Sequence, residues 1–559
     1  MVESYNKSSD DVFYEQLETN SRTFHSVDRS PKNKGLLTFH PCNQNPFTIA
    51  VQRGYVTKAE VVRMAKSVRP FHHSWLSPVF DRFGPFGACK DRKTCVKTVL
   101  RNRPDAFVRV DKTWVAKTES KWSTGTGVEK LATVSPPEGW NYNTAFLSSL
   151  VGIRMPAIFF DGDDKGDDAP PVRRGYMLGC SGARLNHIPT NQMDAQFCFI
   201  TEKHNTTQNG YGRQGANDWL KIWGTNVLLH NTRVGFATYE DAKQTARKPY
   251  EPWELSALTE RELHERFVHG ALSDGTDGYL DVGVFERRNR MTIEPFLYEA
   301  VACCNEECAR SGLFSPFPAM KAYCVVTTLG QENWELKGDA GLQQWKSLAI
   351  VYVLVLVEMI LSRETLAQRI GYIDFFGFNQ VFAETLSRMC MNKNLGLSTP
   401  ETESETTSLR WTDILDDGGL LFNGIRLRIT GEYAQGAQAK AEHPSTVNNE
   451  KLASTLVIMY EWNAVTQTDK NESSSVEGSP YNPKMDCYCL TTELQNPFVN
   501  PAVNNITTVG EHPSQNYVSK ESDLPDKLVD KIKVFVDKST KKMRKWKMRK
   551  SKRTRQGTI

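Results

Sequence analysis

The sequence predicts a mixed α/β fold, with a central βαβ-containing domain, a smaller β-rich C-terminal module and a basic tail. Three observations carry this expectation. First, the β-rich runs KAYCVVTTL (Lys321 to Leu329) and GYIDFFGF (Gly371 to Phe378) flank Asp339 to Ile370, a stretch with no Pro and only Gly341 near its start. A buried helix of up to about 30 residues between two strands is the spelling of a βαβ crossover and a covered parallel pair. The β-branched run VYVLVLV would also suit a central strand, so the helix is the favoured rather than the sole reading. Second, GIRLRITGEY (Gly424 to Tyr433) places Ile425, Leu427 and Ile429 on one face and Arg426, Arg428 and Thr430 on the other, and STLVIMYEW, ending at Trp462, is its expected partner. Third, residues 541–559 hold ten Lys or Arg and no Asp or Glu.

Taken in order, 1–35 read as a flexible polar arm. Thr57 and Glu60 form a capping box that opens a helix stopped by Pro70. The Pro- and Gly-dense segment from Phe71 to Arg103 is expected to be irregular. Ala157 to Phe160 and Gln196 to Thr201 have strand length, and Leu258 to Val268 reads as a helix. These elements make up a body over 36–397, followed by a charged, hydroxyl-rich linker at 398–408. A β-rich module then spans 409–465, a polar linker 466–522 and a basic amphipathic tail 523–559. The apolar run Leu348 to Val357 is bracketed by Lys346 and Arg363 and is shorter than the roughly 20 residues of a membrane span, so it reads as core.

The net charge of +4 conceals a division. Without the tail, residues 1–540 carry 59 basic against 65 acidic groups, a balance of −6. No apolar run follows a positive N-terminal end, so no secretory signal is expected, and an intracellular, nuclear or cytoplasmic location follows. The twelve cysteines, irregularly spaced, then read as small buried hydrophobes rather than a disulfide framework.

Several motifs invite a chemical reading. NGYGRQG has the G-x-G-x-x-G pattern at Gly210, Gly212 and Gly215, but eight residues separate it from the strand expected to end at Thr201, so a surface turn is the better reading. FFDGDDKGDD sets five aspartates after an apolar run, and Asp161, Asp163 and Asp164 at a strand end would suit Mg²⁺ or Mn²⁺. No other cofactor is predicted. In HERFVH the two histidines are five apart, which excludes the zinc-protease pattern H-E-x-x-H. Ligands of open α/β sheets bind off strand carboxyl ends, nominating Thr327, Thr328, Gln331, Glu332 and Asn333, and Asn379 after the second strand. Asp374, within an apolar strand, needs a partner. KAYC, the later KGD (Lys337 to Asp339) and the long helix resemble in outline the poly(ADP-ribose) glycohydrolase family. That family's Gly-rich loop and catalytic glutamate pair have no counterpart in this sequence, and no assignment follows.

In the tail, Asp526 to Val536 reads as an amphipathic helix with Leu528, Ile532 and Phe535 on one face. At about 100° per residue Met543 and Trp546 continue that stripe. Lys541, Lys542, Arg544, Lys545, Lys547, Arg549, Lys550, Lys552, Arg553 and Arg555 would neutralise phosphates without sequence readout or serve as a nuclear localisation signal. An anionic membrane surface or a helix-binding partner suits the same spelling, as does a stripe docked on the body. The leading expectation is a non-enzymatic nucleic-acid-associated protein of the nucleoprotein or packaging kind. The alternatives are an intracellular α/β enzyme acting on a phosphate-containing substrate through the metal loop, and a self-assembling structural scaffold.

Overall fold

A computed structural model describes residues 7–25, 46–71, 152–161, 171–180, 198–205, 237–251, 254, 266–310, 321–329, 331, 335–362, 368–390, 419–430, 454–461, 487–489, 494 and 500–504. The strands are β1 (Arg69–Phe71), β2 (Gly152–Asp161), β3 (Pro171–Cys180), β4 (Phe199–Thr201), β5 (Phe267–Ala271), β6 (Asp277–Asp281), β7 (Lys321–Val326), β8 (Ile370–Phe376), β9 (Leu420–Phe422), β10 (Ile425–Thr430), β11 (Ser454–Glu461) and β12 (Cys487–Cys489). The helices are α1 (Ser9–His25), α2 (Pro46–Gln52), α3 (Lys58–Ser67), α4 (Tyr239–Thr245), α5 (Val282–Arg310), α6 (Asp339–Ser362), α7 (Gln380–Cys390) and α8 (Pro501–Asn504).

The architecture is α/β, built on a mixed nine-stranded sheet in the order β1-β2-β3-β11-β7-β8-β10-β9, with β12 also paired to β2. Strands β3, β11, β7, β8 and β10 run parallel to one another. Strands β2, β1, β12 and β9 join antiparallel. The expected βαβ unit forms, because β7 and β8 pair in parallel and the apolar run between them is the 24-residue helix α6. Helix wins over strand there because the run is long enough to bury all its faces. Trp345, Ile350, Tyr352, Val355, Leu356 and Met359 are all buried, and α6 packs between α5 and α7. Tyr352 meets the rings of Phe375, Phe378 and Phe382 at 5.0, 6.1 and 6.2 Å.

Alternation along β7 sends Ala322, Cys324 and Val326 into this helical layer and Tyr323 and Val325 to the opposite face. On β2, Arg154 faces α5, so Ile153 and Met155 take the second face, where α3 packs against β2. A sheet covered on both sides explains the near-continuous apolar spelling of its parallel strands. A separate antiparallel sheet, β4-β6-β5, lies against α4 and α6.

Several expectations are corrected. Ser9–His25 of the arm is helical, since Tyr14 and Leu17, one turn apart, bury on α3, while Lys66 reaches Asp10 at 2.8 Å. The strands expected to pair as a separate module over 409–465 do not pair with each other: β10 joins β8, and β11 inserts between β3 and β7. Alternation specifies which face a strand buries, not which neighbour it takes. The expected linker 466–522 supplies β12, and its Asn500 Nδ2 donates to the carbonyls of Ala65 and Leu494 at 2.8 and 2.7 Å. Phe267 and Val268, read as the end of a helix, lie in β5. The Thr57 cap forms as expected, with its Oγ1 accepting from Glu60 N at 3.1 Å. Cys180, Cys198, Cys303, Cys304, Cys324 and Cys390 are buried free thiols and Cys308 is a half-buried one.

Candidate functional site

The two edges of the sheet are reached by opposite routes. From β7 the chain passes through α6 to β8 on one side, whereas from β11 it passes to β12, which pairs with β2 on the other. Adjacent parallel strands whose connections diverge make a topological switch point, the usual place for a ligand off strand carboxyl ends. β11 and β7 are in register up to Ile458 and Val325, so their carboxyl ends lie side by side.

The residues that leave β7 there are polar and enclosed. Thr327, Thr328 and Gln331 are buried, with Gln331 wholly inaccessible. Gln331 N donates to Thr328 O at 3.2 Å, which closes a tight turn. Within it Leu329 adopts φ 54°, a left-handed conformation that costs a residue with a Cβ on the order of 1–2 kcal/mol. Both amide atoms of Gln331, Nε2 and Oε1, are buried without a hydrogen-bond partner. An unmet polar group of this kind costs on the order of 1–3 kcal/mol. Strain and an unmet amide thus fall within three residues at the switch point.

The far end of the same loop is fixed. Leu336 N donates to Gln344 Oε1 at 2.7 Å, Trp345 Nε1 to Glu335 Oε1 at 2.7 Å, and Lys337 exchanges backbone bonds of 2.7 and 3.2 Å with Ala271 of β5. Gly338, at φ 74°, then turns the chain into α6. Glu332 and Asn333 lie outside the described residues. The other nominees are occupied elsewhere. Asn379 Oδ1 accepts from Phe382 N at 3.1 Å as the cap of α7, and Asp374 accepts from Tyr323 OH at 2.8 Å and pairs with Arg428. Thr327, Thr328 and Gln331 offer donors and acceptors but no titrating group, which suits binding rather than proton transfer.

Asp161, the first residue of the acidic run, does not share this end of the sheet. β2 runs antiparallel to β3, so Asp161 at its carboxyl end sits beside the amino end of β3, and through β11 beside the amino end of β7. Asp163 and Asp164 lie outside the described residues. Among the described residues no group of three His, Cys, Asp or Glu side chains is placed to hold a metal ion. The motif Gly210, Gly212, Gly215 and the whole tail, from Leu528 through Trp546 to Arg555, also lie outside them.

Sequence reasoning missed two charged centres that the helix α5 builds. At its start Glu286 accepts from Tyr250 OH and from Ser347 Oγ at 2.8 Å, and burial pushes its carboxyl up to about 7. Toward its end Glu306 bridges Arg69 and Arg154; burial opposes its ionisation, but the Arg154 and Arg69 guanidinium groups carry it down to about 2. Glu299 lies 3.3 Å from Arg154 on the preceding turns. The signal available was Glu299 and Glu306 at heptad spacing with an Arg alone in the apolar run GIRMPAIFF. Both centres are internal to helix and sheet contacts and read as structural. No family model and no curated protein matches this chain.

Proposed function

We propose that the chain is a nucleic-acid-associated protein of the nucleoprotein or packaging kind, in which an α/β body carries a cationic segment that binds phosphate backbones or directs nuclear import. One observation carries the reading: ten Lys or Arg and no acid in 541–559, set against a balance of −6 over 1–540. Such a run binds by counterion release, without reading bases, and its partner is any accessible polyanion. The acidic excess of the body would limit contact to the tail and keep the rest of the surface off the nucleic acid.

The alternative is an intracellular α/β enzyme acting on a phosphate-containing substrate, with Asp161, Asp163 and Asp164 holding Mg²⁺ or Mn²⁺. The antiparallel course of β2 sets Asp161 at the end of the sheet opposite Thr327, Thr328 and Gln331, so such a metal would act apart from those residues. The test compares the full chain with one ended at Ser539 for affinity to duplex DNA and to single-stranded RNA, each at two salt concentrations. Tail-dependent, salt-sensitive binding is expected. Equal affinities of the two chains would overturn the proposal.

A further inference from the structure

We infer that Cys304 and Cys308, one turn apart near the end of α5, form a redox pair that a hydroperoxide converts to a disulfide. The two thiols are hydrogen-bonded to each other. Cys304 is the inner sulfur, wholly buried and hydrogen-bonded to Thr455 of β11, whereas Cys308 is the outer one and half-buried. Arg369, just before β8, donates from Nη1 to the Cys308 sulfur at 3.8 Å. Cys303 takes no part, because it faces Arg154 and Glu299 and lies about 140° around the helix from Cys308.

The order of events follows from that placement. Burial and the adjoining Cys308 sulfur push the Cys304 thiol up to about 12, so Cys304 keeps its proton while Cys308, within reach of solvent, meets the oxidant. The Cys308 sulfur attacks the hydroperoxide: an S–O bond forms, the O–O bond breaks, and the departing oxygen takes up the thiol proton as alcohol or water. The Arg369 guanidinium gives that departing oxygen a donor. Cys304 then attacks the sulfenic sulfur, so that the S–S bond forms, the S–O bond breaks, and hydroxide leaves with the Cys304 proton as water. Two thiols and one hydroperoxide give one disulfide, one alcohol and one water, and an added dithiol reverses the change. In a regular helix Cβ atoms four residues apart stand about 5–6 Å from each other, but a disulfide brings them to about 3.5–4.5 Å. Closing that gap distorts the last turn of α5, which carries Glu306 against Arg69 and Arg154, and Glu307 against Tyr176. Oxidation therefore loosens the hold of α5 on β1, β2 and β3, and reduction restores it.

In the test the reduced full-length protein is treated with an equimolar amount of cumene hydroperoxide, blocked with iodoacetamide and cleaved after Glu306 and Glu307, which puts the two sulfurs on separate peptides. A cross-link that fragmentation assigns to Cys304 and Cys308, and that dithiothreitol reverses, is expected. The amides of 304–310 should exchange hydrogen faster in the oxidised protein than in the reduced one. Cys308→Ser should abolish the reaction, and Cys303→Ser should leave it intact. Cys304→Ser should stop it at a Cys308 sulfenic acid that dimedone captures, and Cys304→Ala carries the same comparison if Cys304→Ser does not fold. A native protein whose Cys308 stays reduced overturns the inference. So does a wild-type product that ends at the sulfenic acid, links Cys308 to Cys303 or Cys324 in place of Cys304, or leaves exchange over 304–310 unchanged.

Discussion

Arg428 of β10 and Asp374 of β8 are register partners in the parallel part of the sheet, with Arg428 Nε 3.5 Å from Asp374 Oδ2 and both side chains buried. Tyr323 of β7 donates to the same oxygen at 2.8 Å, so three adjacent strands share one buried charge pair on the face opposite α5 and α6. Breaking it from one side leaves an uncompensated charge. Asp374→Asn is expected to cost roughly 3–5 kcal/mol in urea unfolding, and Asp374→Asn with Arg428→Met much less than the two single changes summed. Additive costs would mean that the pair is not coupled.

The same strands show what the sequence could and could not convey. The crossover was legible because length decides between helix and strand, and α6 is far too long for a strand. The partner of β10 was not legible, since Ile425, Leu427 and Ile429 announce a buried face while pairing is settled by residues distant in sequence. One local signal was passed over: Asn423 and Gly424, at φ 48° and 81°, make the two-residue turn that joins β9 to β10. Helix α5 was hidden because charged residues share its interior. Arg288, Glu294 and Glu299 are buried with the apolar residues, which blurs the 3.6-residue period, and Pro295 lies inside it. At the strand end, Thr327, Thr328 and Gln331 were nominated by fold logic alone. The left-handed Leu329 was beyond reach, because no sequence rule places a Leu at positive φ.

Glu286 should make the fold lose stability as the solution is made more alkaline. Burial raises its carboxyl to about 7 against 4.5 for an unperturbed Glu, despite opposing hydrogen bonds from Tyr250 and Ser347 and the charge of Arg266. Between those values the folded state holds more protons than the unfolded one, so unfolding free energy falls with rising pH and levels off above about 7. The total is on the order of 3 kcal/mol at most. In Glu286→Gln that fall should vanish. A thermal midpoint that rises in the wild type from pH 5 to pH 8 by more than in the variant would contradict this account.

Gly341 reverses a familiar expectation. Within an exposed helix, Gly→Ala stabilises by about 1 kcal/mol. In the first turn of α6, however, a Cβ at 341 would lie 2.0 Å from the carbonyl oxygen of Leu336, a backbone atom in the anchored end of the β7–α6 loop. Overpacking against the backbone costs about 1–3 kcal/mol, which outweighs the gain in propensity. Gly341→Ala should therefore lower the chemical denaturation midpoint, and a raised midpoint would show that Leu336 yields freely.

The tail proposal makes a quantitative demand on salt dependence. For duplex DNA the logarithm of affinity falls against the logarithm of salt with a slope of about −0.9 per neutralised phosphate. Replacing Lys545, Lys547 and Lys550 by Gln should make the slope shallower by about 0.9 for each phosphate that is no longer neutralised, while the body's thermal midpoint stays unchanged. Trp546→Ala removes no cation and should leave the slope alone, so it separates the apolar stripe of Leu528, Ile532, Phe535, Met543 and Trp546 from phosphate binding. If Trp546→Ala abolishes nucleic-acid binding as completely as the Lys replacements do, charge is not the determinant. If instead Trp546→Ala leaves nucleic-acid binding intact but removes binding to anionic vesicles, the stripe serves a membrane surface and the cations serve both.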